Sequence, residues 1–262
     1  MKKGWYLRAA IVIGLCVGWV IPSWAAFVNL DKVKIRITAS PGSSEAGVIT
    51  VENREDKEIF VKIYAMEWQY SKPFDGSKIF FPLGTNYGNV ETWFRFSPKE
   101  LRLSPGERTL VHYRVEVPND IKEACYLVLF FETEMGGSDA VRGEKHIGLQ
   151  FLTRIGTLFL IEPKGIVLRR ADLLSASLEE KGVNLKIKNA GNCALIGKVS
   201  VFAMDENNML VGRSKSTKIY APAKSEFEFV VPLDSSDYLR AKKLLVTIQE
   251  ETGNVYSWEY SI

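Results

Sequence analysis

Between residues 111 and 117 apolar and polar side chains alternate without a break, and Thr109 and Leu110 extend the run. Val111, Tyr113, Val115 and Val117 fall on one side, and Leu110, His112, Arg114 and Glu116 on the other. A period of two sends successive side chains to opposite faces of an extended chain, so the pattern predicts a half-buried strand. Ser104-Pro105-Gly106-Glu107 precedes it as a turn. Proline presets φ at the first central position, and glycine supplies the positive φ at the second. Pro118-Asn119-Asp120 ends the strand. The next run, 125–131 (CYLVLFF), is apolar at every position. A strand that never alternates is one covered on both faces, as in the centre of a sandwich.

Similar runs, broken by short polar turns, fill most of the chain. Strands are expected at 28–37, 47–53, 59–68, 93–96 and 147–162, with Ser40-Pro41-Gly42-Ser43-Ser44 and Arg54-Glu55-Asp56-Lys57 as connections. Residues 71–89 hold Pro73, Gly76, Pro82, Gly84 and Gly88 and read as a loop or an irregular hairpin. Residues 133–144 read as a polar loop. Seven strands in roughly 135 residues argue an immunoglobulin-like sandwich. Pro163-Lys164-Gly165 is taken as the boundary. Beyond it, strands are expected at 166–173, 183–189, 199–203, 209–212 and 225–231. A hairpin of 244–250 and 254–260 closes the chain, and 235–242 has room for one helical turn. The expected fold class is therefore all-β, two immunoglobulin-like sandwiches in tandem over residues 26–163 and 164–262. The second, at roughly 100 residues, has a normal size for one sandwich.

The first 25 residues do not belong to that scheme. Lys2, Lys3 and Arg8 precede an apolar run over 9–21, and Ser23 and Ala25 hold the −3 and −1 positions of a cleavage site. This is the pattern of a secretory signal peptide removed after Ala25. The run is short of the ~20 residues of a spanning helix, so no membrane span is expected in the mature chain. Bulky Leu15 before Cys16 argues against lipid attachment there. The chain has 34 basic and 31 acidic side chains, and loss of Lys2, Lys3 and Arg8 leaves 31 of each. A neutral mature protein lacks the clustered positive surface that nucleic acid requires. Cys125 and Cys193 then remain, in different sandwiches, and are read as buried free thiols packing as small hydrophobes.

Catalytic chemistry is not apparent. His112 and His146 are the only histidines, and neither has a cysteine or carboxylate at metal-ligand spacing. Asp205 with Glu206, and Asp234 with Asp237, sit where aspartate caps its own turn. There is no phosphate-cradling glycine loop, nucleophile elbow or metalloprotease motif. The chain reads as non-enzymatic, with no cofactor and no metal. Trp68, Tyr70, Phe74, Phe80, Phe81, Tyr87, Trp93, Phe94 and Phe96 crowd one segment. They either stack on a ligand or fold over the end of their own sandwich, and the second reading is preferred.

Several stretches resemble the first domain of periplasmic pilus-assembly chaperones. They are residues 28–34 (VNLDKVK), Val51-Glu52-Asn53, Ser97-Pro98 and Leu103-Ser104-Pro105-Gly106. Residues 118–123 (PNDIKE) are similar to that family's Pro-x-Asp-Arg-Glu motif with one residue inserted. The resemblance covers residues 28–163, and the second unit matches as a generic sandwich. It implies a binder that completes an unfinished subunit by lending it an edge strand. Main-chain hydrogen bonds then supply affinity, and alternate side chains fill the subunit's groove. Ile147, Leu149 and Phe151 alternate in the matching place; the other reading is an edge strand whose odd positions face its own core. The resemblance also implies two cations that anchor the subunit's terminal carboxylate. The first aligns with Lys34, with Arg36 as competitor; the second aligns with Leu158, which carries no charge, and Arg154 is the nearest substitute. A lysine serves as a point-charge anchor without arginine's bidentate fork.

The expected function is thus a periplasmic chaperone-like protein that binds exported, pilin-like subunits by strand addition. The alternative is a non-catalytic structural or adhesive module of the envelope that uses its aromatic loops.

Overall fold

The computed structural model describes residues 28–134, 152–234 and 236–262. The proposed signal peptide, His146 and the row Ile147, Leu149 and Phe151 lie outside the described residues. The first half of the chain forms β1 (Val28–Leu30), β2 (Lys34–Ile37), β3 (Ser44–Asn53), β4 (Ile59–Tyr70) and β5 (Lys78–Phe81). A helical turn (Val90–Trp93) follows, then β6 (Phe94–Ser97), β7 (Glu100–Leu103), β8 (Arg108–Glu116), β9 (Cys125–Glu134) and β10 (Leu152–Ile161). The second half forms β11 (Ala171–Glu179), β12 (Gly182–Asn189), β13 (Leu195–Met204), β14 (Leu210–Arg213) and β15 (Thr217–Ala221). It ends with β16 (Glu226–Val231), a 3-10 turn (Ser236–Arg240), β17 (Lys243–Glu250) and β18 (Val255–Ser261).

These strands make two tandem immunoglobulin-like sandwiches. In the first, a four-stranded sheet ordered β1-β3-β8-β6 faces a six-stranded sheet ordered β2-β10-β9-β4-β5, with β7 sharing the outer side of β4. In the second, β11-β12-β16 faces β14-β13-β17-β18, with β15 also on β13. The alternation of β8 is realised as expected: Val111, Val115 and Val117 are buried, and Leu110 is exposed. Three strands escaped the sequence reading. β5 lies inside the proline- and glycine-rich segment 71–89, β7 is four residues between Pro98 and Pro105, and β15 is five residues ending just before Pro222.

β9 explains its own composition. Leu127, Leu129 and Phe131 point into the first sandwich, where they meet Ile49, Val111 and Phe159. Tyr126, Val128 and Phe130 point the other way, into a cluster with Trp68, Tyr70 and Leu160 that also takes in Cys193, Ala194 and Ile196 of the second sandwich. Contact between the sandwiches is thus what buries the outer face of β9. Polar groups in it are satisfied: Trp68 Nε1 donates to the Leu127 carbonyl at 2.8 Å, and the Ala194 N–H donates to the Tyr126 hydroxyl at 2.6 Å. Both cysteines are free and buried. Burial pushes the Cys125 thiol up to about 12 and that of Cys193 up to about 11.

The segment between β4 and β5 crosses to the second sandwich. Phe74 packs on that sandwich's core, with its ring 5.3 Å from Phe227, and its carbonyl accepts the Tyr220 N–H at 3.1 Å. Its φ of +70° is a left-handed conformation that costs a non-glycine residue about 1–2 kcal/mol, offset here by the packing. A Cβ on Gly76 would come within 3.2 Å of the Tyr220 ring, so glycine permits the close approach.

Candidate functional site

The site grows from two adjacent strands. β2 runs parallel to β10, with Lys34 beside Leu158 and Arg36 beside Leu160. Alternation sends Ile35, Ile37, Phe159 and Ile161 into the first core. Lys34 and Arg36 therefore share the outer face of the sheet, the face turned toward the second sandwich. Leu158, the position that the resemblance aligns with the second cation, is the in-register neighbour of Lys34.

The two cations meet carboxylates from elsewhere in the chain. Glu162, just past the end of β10, is 3% exposed, and its Oε2 accepts from both Arg36 Nη1 and Arg169 Nη2. Arg169 comes from the connection between the sandwiches and also stands 4.0 Å from Glu250 Oε1 at the end of β17. Glu250 is itself fixed, because its Oε2 accepts from Thr252 Oγ1 at 3.1 Å and Asn254 Nδ2 at 2.8 Å. Lys34 Nζ donates to Glu251 Oε2 at 2.6 Å, and Arg36 Nη2 lies 3.7 Å from the same oxygen. Lys78 stands close by over the Trp68 and Tyr70 rings. Burial, and then the like charge of Lys34, lower the Lys78 pKa. The second sandwich contributes a cavity of about 310 Å3 lined by Lys198, Lys218, Tyr220 and Glu251, among others. The arrangement is an ionic cleft between the sandwiches, suited to holding an anionic group.

Arg154 does not join it. Four residues along β10 from Leu158, about 13 Å away, it stacks 4.2 Å from the Phe130 ring centroid and donates to the Tyr64 hydroxyl at 3.2 Å. Tyr64 in turn donates to Glu132 at 2.7 Å. The residues that sequence reasoning missed are Glu162, Arg169 and Glu251. Nothing local marks them, since each acquires its role only when the sandwiches meet.

The second feature is the edge of β10. β9 pairs with it along its full length, from Leu152 to Ile161. β2 covers the other side only from Leu158 to Ile161. The Leu158 N–H donates to the Val33 carbonyl, and the Glu162 N–H donates to that of Ile37, so even-numbered backbone groups face that side. Those of Leu152, Arg154 and Gly156 therefore point to an edge that no strand among the described residues occupies. Leu152 is 59% exposed. In the described part of β10 the odd positions Ile155, Phe159 and Ile161 pack on the first core.

Other candidates resolve into structure. His112 is exposed on the outer side of β8. Among the described residues no group of histidine, cysteine and carboxylate side chains has the geometry of a metal site. Asp205 Oδ1 accepts the N–H groups of Asn207 and Met209, the capping of its own turn. The aromatic segment folds inward, with Trp68, Tyr70, Trp93 and Phe94 all buried. No helix among the described residues is long and apolar enough to cross a membrane.

No protein-family model matches the sequence, and no characterised protein matches it by sequence. Solved structures match its shape. A chain of the chaperone–tip adhesin complex of CFA/I fimbriae biogenesis superposes with a TM-score of 0.55 at 15% identity, over 89% of this chain and 98% of that one. The class 5 fimbriae chaperone CfaA gives 0.52 at 14% identity, over 88% and 98%. At such identity the likeness is one of fold: both sandwiches and their tandem order are those of fimbrial chaperones.

Proposed function

We propose that this chain is a non-catalytic periplasmic chaperone that holds exported, pilin-like subunits by lending them the open edge of β10. In this reading the mature chain starts after Ala25, and the sandwiches divide at 163/164. The observation that carries it is the edge itself: half of a long strand, continuous with a buried half, offers unpaired backbone groups beside a cationic cleft. An exposed edge is a template for pairing with another chain. The fold is that of proteins whose solved complexes include a tip adhesin. The cleft supplies Lys34 as a point-charge anchor for a carboxylate of the bound subunit. The adhesive alternative loses its basis, because the aromatic residues it relied on include buried Trp68, Trp93 and Phe94.

The test uses a substitution that removes one edge donor. Proline is tolerated on an edge strand where its missing N–H would face outward. Arg154→Pro is expected to leave a cooperative thermal transition and to reduce capture of subunits from a periplasmic extract at least about tenfold, the effect of losing roughly 1.4 kcal/mol. Arg154→Ala removes the same side-chain contacts and keeps the N–H, so it should capture nearly as well as the parent. Equal capture by all three proteins refutes strand lending.

A further inference from the structure

Lys34 and Arg36 are two residues apart on one strand and face the same cleft; Glu251 Oε2 lies 2.6 Å from Lys34 and only 3.7 Å from Arg36, whose close partner is Glu162. Arg36 is held by Glu162, a buried carboxylate that also binds Arg169. Breaking such a pair leaves an uncompensated buried charge, so Arg36 is a fixed part of the contact between sandwiches. Lys34 is held by Glu251, and these side chains are 37% and 45% exposed. Glu251 sits in the turn between β17 and β18, next to Glu250, whose carboxylate is tied to Thr252 and Asn254. Its own backbone is fixed by donation to the Ile196 carbonyl at 3.0 Å, which leaves its side chain projecting back across the cleft. Lys34 therefore carries a carboxylate from the second sandwich at 2.6 Å, and the residue that supplies it lines a cavity together with Lys198 and Lys218.

We propose that Glu251 is a built-in competitor: its carboxylate occupies Lys34 until the carboxylate of an incoming chain displaces it. This rests on the reading of the cleft as the place where a bound subunit's carboxylate is anchored. Magnitude decides between a lock and a placeholder. An exposed ion pair is worth about 0–1 kcal/mol, too little to exclude a partner whose strand pairing is gained at the same time. Glu251 thus keeps Lys34 neutralised in the free protein and sets a threshold that an uncharged chain end cannot exploit. Exchange of one carboxylate for another leaves Lys34 paired as before, so Arg36, Glu162 and Arg169 need not move.

The experiment measures binding of three synthetic peptides of alternating valine and threonine to the full mature chain. One ends in a free carboxylate, one is its C-terminal amide, and one is the amide with a glutamate at the last position. Comparison of the first and the last separates a chain terminus from a side-chain carboxylate. The parent protein is expected to prefer the free acid to the plain amide. Glu251→Gln, which keeps the shape of the side chain, should tighten the free acid by roughly three- to fivefold and leave the amide unchanged. In the Lys34→Gln background the acid should lose its advantage, and Glu251→Gln should have no further effect. If the acid outbinds the amide but Glu251→Gln changes neither, the competitor is refuted while the anchor stands. If acid and amide bind alike in every protein, the anchor reading falls and the competitor with it. If no peptide binds any of the proteins, strand lending and the competitor are both overturned. Matching thermal transitions of the variants confirm that folding is unaffected.

Discussion

The two sandwiches are closed by the same device and covered in different ways. Asn53 ends β3 and Asn189 ends β12, and both are buried. Asn53 Nδ2 donates to the carbonyls of Lys57, Leu103 and Ser104, while its Oδ1 accepts the Glu55 N–H. Asn189 Nδ2 donates to the carbonyls of Cys193, Ala221 and Pro222, while its Oδ1 accepts the Gly191 N–H. One amide thus pins a turn and a neighbouring strand end in each unit. The coverings differ. β9 in the first unit is apolar on both faces because the second unit leans on it, whereas β18 alternates, with Tyr256, Trp258 and Tyr260 packed inward and Val255 exposed. The first sandwich therefore relies on its neighbour along the outer face of β9, whereas the second relies on the first at Cys193, Ala194, Ile196 and the Phe74 site.

The shared device gives the largest expected effect. Asn53→Ala and Asn189→Ala each strand buried carbonyls, at about 3 kcal/mol apiece. Chemical denaturation should show similar losses for the two, and a loss confined to one would break the parallel. The unequal covering predicts a smaller effect. Tyr126→Phe removes the acceptor of the Ala194 N–H at the contact between sandwiches and should cost about 1–2 kcal/mol. If the contact contributes nothing to the first sandwich, its melt will not shift. The smallest change is expected on the open half of β10. Leu152→Thr alters an exposed side chain and should move stability by no more than about 0.5 kcal/mol, while weakening subunit capture if that edge is lent.

What was legible in the sequence divides along the line between local and non-local physics. The alternation over 111–117 and the unbroken run over 125–131 located β8 and β9, since a period of two and its absence are properties of neighbours in the chain. Lys34 and Leu158, the two positions that the resemblance aligns with the cations, are neighbours in register. β5 was hidden because Pro73, Gly76 and Pro82 surround four residues with no room to display a period. Arg169 and Glu251 were invisible for a different reason: their partners lie across the contact between the sandwiches, and no spacing rule links position 34 to position 251.

Phe74 has a consequence for how the chain is made. It emerges from the ribosome well before the residues it will pack against. The second sandwich completes its interior with a loop supplied by the first, and that loop waits in water with its ring uncovered until Phe227 follows. The two halves are thus joined in time as well as in space. Making them as separate pieces would leave one with a bare aromatic hook and the other with the notch it fits.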